Sequence, residues 1–340
     1  MSHSFRLGLE ALEDRNCPSA MQASLQAHTL KITGNDEWNV VQLTQDDVNN
    51  TLKVVYGQLP HDSTMATLIV NTVTYKSSDI TRITVDLGLG NDNFEYRLAG
   101  GTDLIYAKDL SVDTGAGDDS VTINTSAAAG TASSASLVTL PDITAVNGVL
   151  TADGNIITIP QLQDASASSE FASTIRNTFS VSVTTGTGND SANVITGNLQ
   201  GRIKSTISVD LGVDQDQFWL SQEGTVNKGA TLTYNINGND GKDALNVGSY
   251  GDVGGALNLN VSGGYGDDTI LVDIQGLYQG KTTVKVSGGV GDDAMILHAL
   301  LNPSSNGQVT LSASGDSGND TALVDGAFIL SGIETWGPLV

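Results

Sequence analysis

The stretch Ala256-Leu-Asn-Leu-Asn-Val-Ser-Gly-Gly-Tyr-Gly-Asp-Asp-Thr-Ile-Leu-Val272 decides the fold. Leu259 and Val261 alternate with polar residues, Ile270 and Val272 keep the same two-residue spacing, and period 2 is the signature of a strand with one buried face. Between them a glycine-rich segment ends on paired aspartates. The same arrangement returns as Gly288-Gly-Val-Gly-Asp-Asp-Ala-Met295, and shorter copies stand at 88 to 92, 115 to 119 and 186 to 190. Looser copies end at Asp216, Asp243 and Asp320. With the last Asp as anchor, the copies fall at 92, 119, 190, 216, 243, 268, 293 and 320, and six of the seven spacings are 25 to 27 residues.

Working outward from each anchor, the residues two and four positions later are apolar, from Phe94 and Tyr96 to Ala322 and Val324. The residues nine and seven positions earlier are of the same kind, from Ile83 and Val85 to Leu311 and Ala313. A single strand-turn-strand unit cannot bury that much apolar surface alone, whereas stacked units bury one another's inner faces along a continuous core. The expectation is an all-β chain, a parallel β-solenoid with coils of about 25 to 27 residues and room for a third strand in the return segment. A string of antiparallel hairpins is the rival, at odds with turns of about seven residues.

The organisation expected is a leader over 1–28, an N-terminal β cap over 29–82 and a repeat solenoid over 83–340, interrupted by an insertion at about 125–180. Within the cap, Leu30 to Asp36 reads as a truncated copy of the repeat. Within the insertion, Asn147-Gly148 and Asp153-Gly154 are hairpin-turn signals, so an inserted hairpin projecting from the coils is expected.

Two complete copies, at 263 to 271 and 288 to 296, resemble the hemolysin-type calcium-binding repeat. That resemblance implies a parallel β-roll holding Ca²⁺ between stacked turns. The chain departs from the family pattern in having one such turn per coil and in losing glycines, with Asp214 and Asp316 in their places. At the N-terminus, Arg6-Leu-Gly-Leu-Glu-Ala-Leu-Glu-Asp-Arg15 followed by Pro18-Ser19 resembles the leader of large exported planctomycete-type proteins. That resemblance implies the cell surface or exterior.

The anchors belong to a wider bias. Of 38 acids, 31 are Asp and 7 are Glu, in a chain with 15 Lys and Arg and a net charge of −23. Solubility alone would not choose Asp over Glu; turns and metal sites would. The charge disfavours nucleic acid, whose phosphates would be repelled. One cysteine, Cys17, excludes an intrachain disulfide framework. No run of 18 apolar residues is present, so no transmembrane helix is expected.

Stacking in register brings equivalent carboxylates to roughly 4.8 Å, where two charges repel by about 3 to 4 kcal/mol at an effective dielectric of 20. Two arrangements relieve this. Calcium would convert the repulsion into ligation, with Asp267, Asp268, Asp292 and Asp293 the first choice and Asp92, Asp118, Asp119 and Asp190 the further candidates. Alternatively, each anchor accepts backbone N–H groups of its own turn.

Little else carries chemistry. His3, His28, His61 and His298 show no ligand spacing, and the glycine turns lack the helix that a phosphate loop needs. Two function classes remain. One is an exported, non-enzymatic structural or adhesive module stabilised by calcium, whose partners would be cell-surface glycans or other surface proteins. The alternative is a calcium-dependent polysaccharide lyase on a β-helix, with Arg202, Lys204 or Lys242 as base near Asp214, Asp216 and Asp243.

Overall fold

A computed structural model describes residues 21–59, 69–99, 106–126 and 178–338. The chain winds into two facing sheets. Chain order runs β1 (Gln22–Gln26), β2 (Thr29–Asn35), β3 (Trp38–Asp46), β4 (Thr51–Leu59), β5 (Ile69–Lys76), β6 (Arg82–Gly88), β7 (Asn93–Leu98), β8 (Asp109–Asp113) and β9 (Ser120–Asn124). It continues with β10 (Thr178–Thr184), β11 (Ser191–Thr196), β12 (Lys204–Asp210), β13 (Gln217–Gln222), β14 (Thr231–Asp240), β15 (Ala244–Ser249) and β16 (Ala256–Tyr265). The last strands are β17 (Thr269–Gly276), β18 (Lys281–Val290), β19 (Ala294–Leu301), β20 (Gln308–Ser317), β21 (Thr321–Asp325), β22 (Phe328–Ser331) and β23 (Thr335–Pro338). The first sheet has 11 strands in the order β1-β2-β6-β8-β10-β12-β14-β16-β18-β20-β22. The second has 12, in the order β23-β21-β19-β17-β15-β13-β11-β9-β7-β3-β4-β5. From β6 onward each strand pairs in parallel with its equivalent one coil away, which is the β-solenoid that the repeat implies.

Register follows the repeat. Ile207, Tyr234, Leu259, Val284 and Leu311 are successive partners in the first sheet. In the second sheet Phe218, Leu245, Ile270, Met295 and Ala322 are partners in the same way. All the apolar flanking positions read from the sequence are buried except Val324, which is half-buried near the C-terminal end. A one-residue slip would turn each of these side chains to solvent, so the alternation fixes the register.

The return side differs from expectation. Leu199, Val226, Val253 and Tyr278 stack through single bridges rather than a third strand. The return segments meet one another only at this one position per coil, so no continuous third ladder forms. The inserted hairpin expected at about 125–180 falls mostly on 127–177, outside the described residues.

The N-terminal end also differs in detail. Strand β1 lies inside the range read as leader, and β2 and β3 form a full coil in parallel register with β6 and β7. Its anchor position is held by Asn39 and not by Asp36, because Val40 pairs with Asn93. Antiparallel strands then close this end, β1 on β2 and β4-β5 on β3. Beneath them Lys108 is fully buried, its Nζ donating to the carbonyls of Ser77 at 2.7 Å and Ile80 at 3.0 Å. No helix among the described residues is long and apolar enough to cross a membrane.

The turns hold a left-handed residue four positions before nearly every anchor. Glycine usually supplies it, as at Gly115, Gly186 and Gly264, but Asn239 and Asp316 keep a positive φ at that place, and Asp214 does so two positions before its anchor, at 90°. A left-handed non-glycine residue costs about 1 kcal/mol, and the Asp214 charge also acts on Asp190 and Asp216. Asp214→Gly is therefore expected to raise stability by about 1 kcal/mol in urea denaturation. A loss of stability would mean that the Asp214 side chain makes a contact worth more than the strain.

Candidate functional site

The anchor aspartates form one column inside the turn edge of the solenoid, each 2% exposed or less. Each Oδ1 accepts a hydrogen bond from the backbone N–H of the preceding coil's anchor. Asn39 N–H donates to Asp92 at 2.7 Å, Asp92 to Asp119 at 2.8 Å, Asp119 to Asp190 at 2.7 Å and Asp190 to Asp216 at 2.7 Å. The series continues through Asp243, Asp268, Asp293 and Asp320 at 2.8 to 2.9 Å. It ends where Asp320 N–H donates to Glu334 Oε2 at 2.8 Å. The aspartates thus bond to backbone, as one sequence reading holds, but to the neighbouring turn rather than their own.

The second oxygen explains the leading glycine of the motif. Oδ2 of every anchor from Asp92 to Asp320 is buried without a hydrogen-bond partner. In the later coils it occupies the space beside a glycine: a Cβ on Gly263 would lie 2.2 Å from Oδ2 of Asp268, and one on Gly288 2.3 Å from that of Asp293. Gly264 and Gly289 supply positive φ. A Cβ on Gly266 would fall 1.5 Å from the Gly241 carbonyl oxygen of the coil below. Every glycine of the two complete motifs therefore has a packing or conformational reason.

Burial of half-satisfied carboxyls raises their pKa, opposed by the accepted N–H. Asp92 and Asp216 are pushed up to about 8, Asp119 and Asp268 to about 7, and Asp190, Asp243 and Asp293 to about 6; Asp320 also moves up. The two highest values belong to coils with Leu87 and Leu211 five positions before the anchor, where other coils have Thr or Gly.

A second column lies outside. Asp118, Asp267 and Asp292 are exposed, and their Oδ1 atoms accept the N–H of Asn189 at 2.9 Å, Asp292 at 3.0 Å and Asn319 at 2.9 Å. Here the bond runs from the following coil to the preceding one, opposite in sense to the inner column. Lys242 interrupts this outer series.

The candidate metal residues are thereby separated into two environments. Asp92, Asp119, Asp190, Asp268 and Asp293 are interior, whereas Asp118, Asp267 and Asp292 are at the surface. Calcium takes roughly six to eight oxygens, yet one oxygen of each interior carboxyl is engaged and the other is packed inside. Among the described residues no three His, Cys, Asp or Glu side chains converge to hold a metal. The interior column does not fit a calcium cage.

Other groups came together without a clear sequence signal. His298 bridges coils, with Nδ1 2.7 Å from Asp273 Oδ1 and Nε2 3.4 Å from Asp325 Oδ2. The coil period would have found it, since 273, 298 and 325 are spaced by 25 and 27. Burial lowers the pKa of Lys108 to about 8, with Asp47 opposing. Inside the return edge, Ser249 Oγ donates to Gln222 and meets Tyr278. Of the residues grouped for a lyase, Asp216 and Asp243 are interior, while Arg202, Lys204 and Lys242 are exposed.

The outer face of the first sheet carries an open trough of about 510 Å³. Ser182, Ser208, Asn235, Asn260 and Lys285 line it from five successive strands.

No known protein family, characterised protein or solved structure matches this chain.

The ladder fixes a sign for pH dependence. A carboxyl whose pKa is higher folded than unfolded keeps its proton in the native state, so its contribution is most favourable below about pH 4 and is lost as pH rises through about 6 to 8. Melting temperature is expected to fall between pH 5 and pH 8.5 on the order of ten degrees. Asp268→Asn is expected to flatten part of that fall, because Asn39 already shows an amide held in the column by carbonyls of Asn35, Glu37 and Leu87. A melting temperature that rises with pH would show the carboxylates to be compensated.

Proposed function

We propose that this chain is an exported, non-enzymatic structural module, a stiff rod that holds its outer faces for contact at the cell surface or beyond. The observation that supports this reading is the inner hydrogen-bond series, which runs from Asn39 to Glu334 without a missing step. A column of this kind ties each coil to the next at a buried point and leaves the exterior free to vary. Resistance to bending follows, since one coil cannot tilt without breaking a buried bond that costs about 1 to 3 kcal/mol. The leader resemblance supplies the exterior location. Partners would be glycans or surface proteins meeting the faces of the solenoid, and the polar trough on the first sheet offers hydroxyls, amides and a lysine suited to a polyhydroxylated chain.

Calcium enters this reading at the exposed Asp118, Asp267 and Asp292, the candidate carboxylates outside the buried interior. Its effect is tested by melting in chelator, millimolar Ca²⁺ and equal Mg²⁺. Calcium is expected to raise the melting temperature by a few degrees, and Asp267→Asn with Asp292→Asn to remove that increment, while Asp268→Asn keeps it. An increment lost only with Asp268→Asn would move the metal into the interior and overturn this account. Purified protein is expected to release no unsaturated product from acidic glycans. Release that depends on Arg202 or Lys204 would make the chain a lyase instead.

A further inference from the structure

On the outer face of the second sheet, three successive coils place ionisable side chains in one row. Asp273 of β17, His298 of β19 and Asp325 of β21 are partners in parallel register, so they follow one another at about one strand spacing, roughly 4.8 Å. The imidazole stands between two carboxylates, with Nδ1 2.7 Å from Asp273 Oδ1 and Nε2 3.4 Å from Asp325 Oδ2.

The two sides of the ring are not equivalent. Nδ1 is at full hydrogen-bond distance from Asp273. That carboxylate is held from its own strand, where Gln275 Nε2 donates to Oδ1 at 3.0 Å and to Oδ2 at 2.8 Å. Asp273 therefore accepts throughout, and the proton of the contact sits on His298 Nδ1. In the neutral ring this turns the Nε2 lone pair toward Asp325, an acceptor facing an acceptor. Something positive has to stand between them. No lysine or arginine lies on β15, β17, β19 or β21, or in the adjoining return segments 250–255, 277–280 and 302–307. The separation is itself informative. An N–H···O bond closes to about 2.7 to 3.2 Å, whereas a nitrogen and an oxygen each about 2.05 Å from a tetrahedral zinc ion stand about 3.3 Å apart.

We propose that His298 Nε2 and Asp325 Oδ2 hold a divalent transition metal, zinc in the first instance, with water in the remaining positions. Asp273 is the carboxylate that orients the ring, as such partners do for metal-bound histidine. Exposure is graded to suit these roles: the Asp273 and His298 side chains are 19% and 24% exposed, and that of Asp325 is 60% exposed. Imidazole selects zinc over calcium and magnesium, which take oxygen ligands. With two side-chain ligands the ion is exchangeable. It ties the coil of β19 to that of β21 from outside, where the bond from Asp293 N–H to Asp320 ties the same two coils from within. The site is separate from the exposed aspartates assigned to calcium and stands or falls independently of them.

Calorimetric titration of the full chain with Zn²⁺ near neutral pH, in millimolar Ca²⁺, tests this. The wild type is expected to take up one equivalent, and its melting temperature to rise with the logarithm of zinc concentration. His298→Ala and Asp325→Ala are each expected to lose that equivalent, and Asp273→Ala to bind about ten- to a hundredfold more weakly. Asp267→Asn with Asp292→Asn is expected to keep it. Without metal, the nitrogen spectrum of neutral His298 is expected to show the proton on Nδ1. A wild type that takes up no zinc would mean that a proton alone fills the gap, and the proposal fails. It fails equally if the equivalent survives His298→Ala, or if Ca²⁺ displaces it, which would assign the ion to the outer aspartates. Circular dichroism checks that each variant folds; if His298→Ala does not, His298→Gln keeps a polar side chain in the row and serves in its place.

Discussion

One buried backbone N–H per coil governs this structure. At the turn edge the chain passes from one sheet to the other, and the anchor's amide points along the axis into the buried interior. An unmet buried N–H costs about 1 to 3 kcal/mol, and repeated at every coil that cost would prevent stacking. Aspartate meets it from the next coil with one oxygen. The short side chain matters, since the anchor reaches a neighbour one strand spacing away; the terminal coil, with its different turn, uses the longer Glu334 instead. The bias of 31 Asp over 7 Glu includes this geometric demand.

The remedy carries its own cost. A carboxyl has two oxygens and the turn supplies one buried donor, so Oδ2 is left unpartnered in every coil. Protonation lessens the charge that burial opposes, and the raised pKa values express that preference. Leucine beside Asp92 and Asp216 increases it, whereas the hydroxyls of Thr114 and Thr185 beside Asp119 and Asp190 offset part of it. The coils therefore share one backbone hydrogen bond but are graded in proton affinity, with burial the largest cause in each.

What could be read beforehand follows the physics of repetition. The apolar columns were legible because burial on one face imposes period 2 within a strand and a fixed period between coils, and both leave marks on a single sequence. The aspartate column was legible as a column but not in its bonding, since donor and acceptor belong to residues 25 or more apart whose relative height depends on the coil rise. Asn39 is hidden in the sequence because Gly34-Asn35-Asp36 imitates the motif three positions too early. His298 lacks the sequence spacing of a metal motif, and its partners Asp273 and Asp325 stand at the coil period instead. Lys108 gave no signal at all: its partners are carbonyls of Ser77 and Ile80, which any sequence would provide.

Repetition also changes what a motif can mean. Where glycine-aspartate turns occur on both sides of a roll, facing turns can share an ion. Here they occur on one side, and the same residues are accounted for by a left-handed turn, two close backbone approaches and one hydrogen bond per coil. The letters of the motif are thus compatible with two physical states, and the inter-coil hydrogen bond accounts for its interior aspartate. A solenoid built this way defers the completion of each coil to its successor, so the demand for a partner is passed along the axis until it reaches the last strands. At the last described strands the hydrogen-bond demand passes to Glu334, a longer side chain reaching from a turn of different shape.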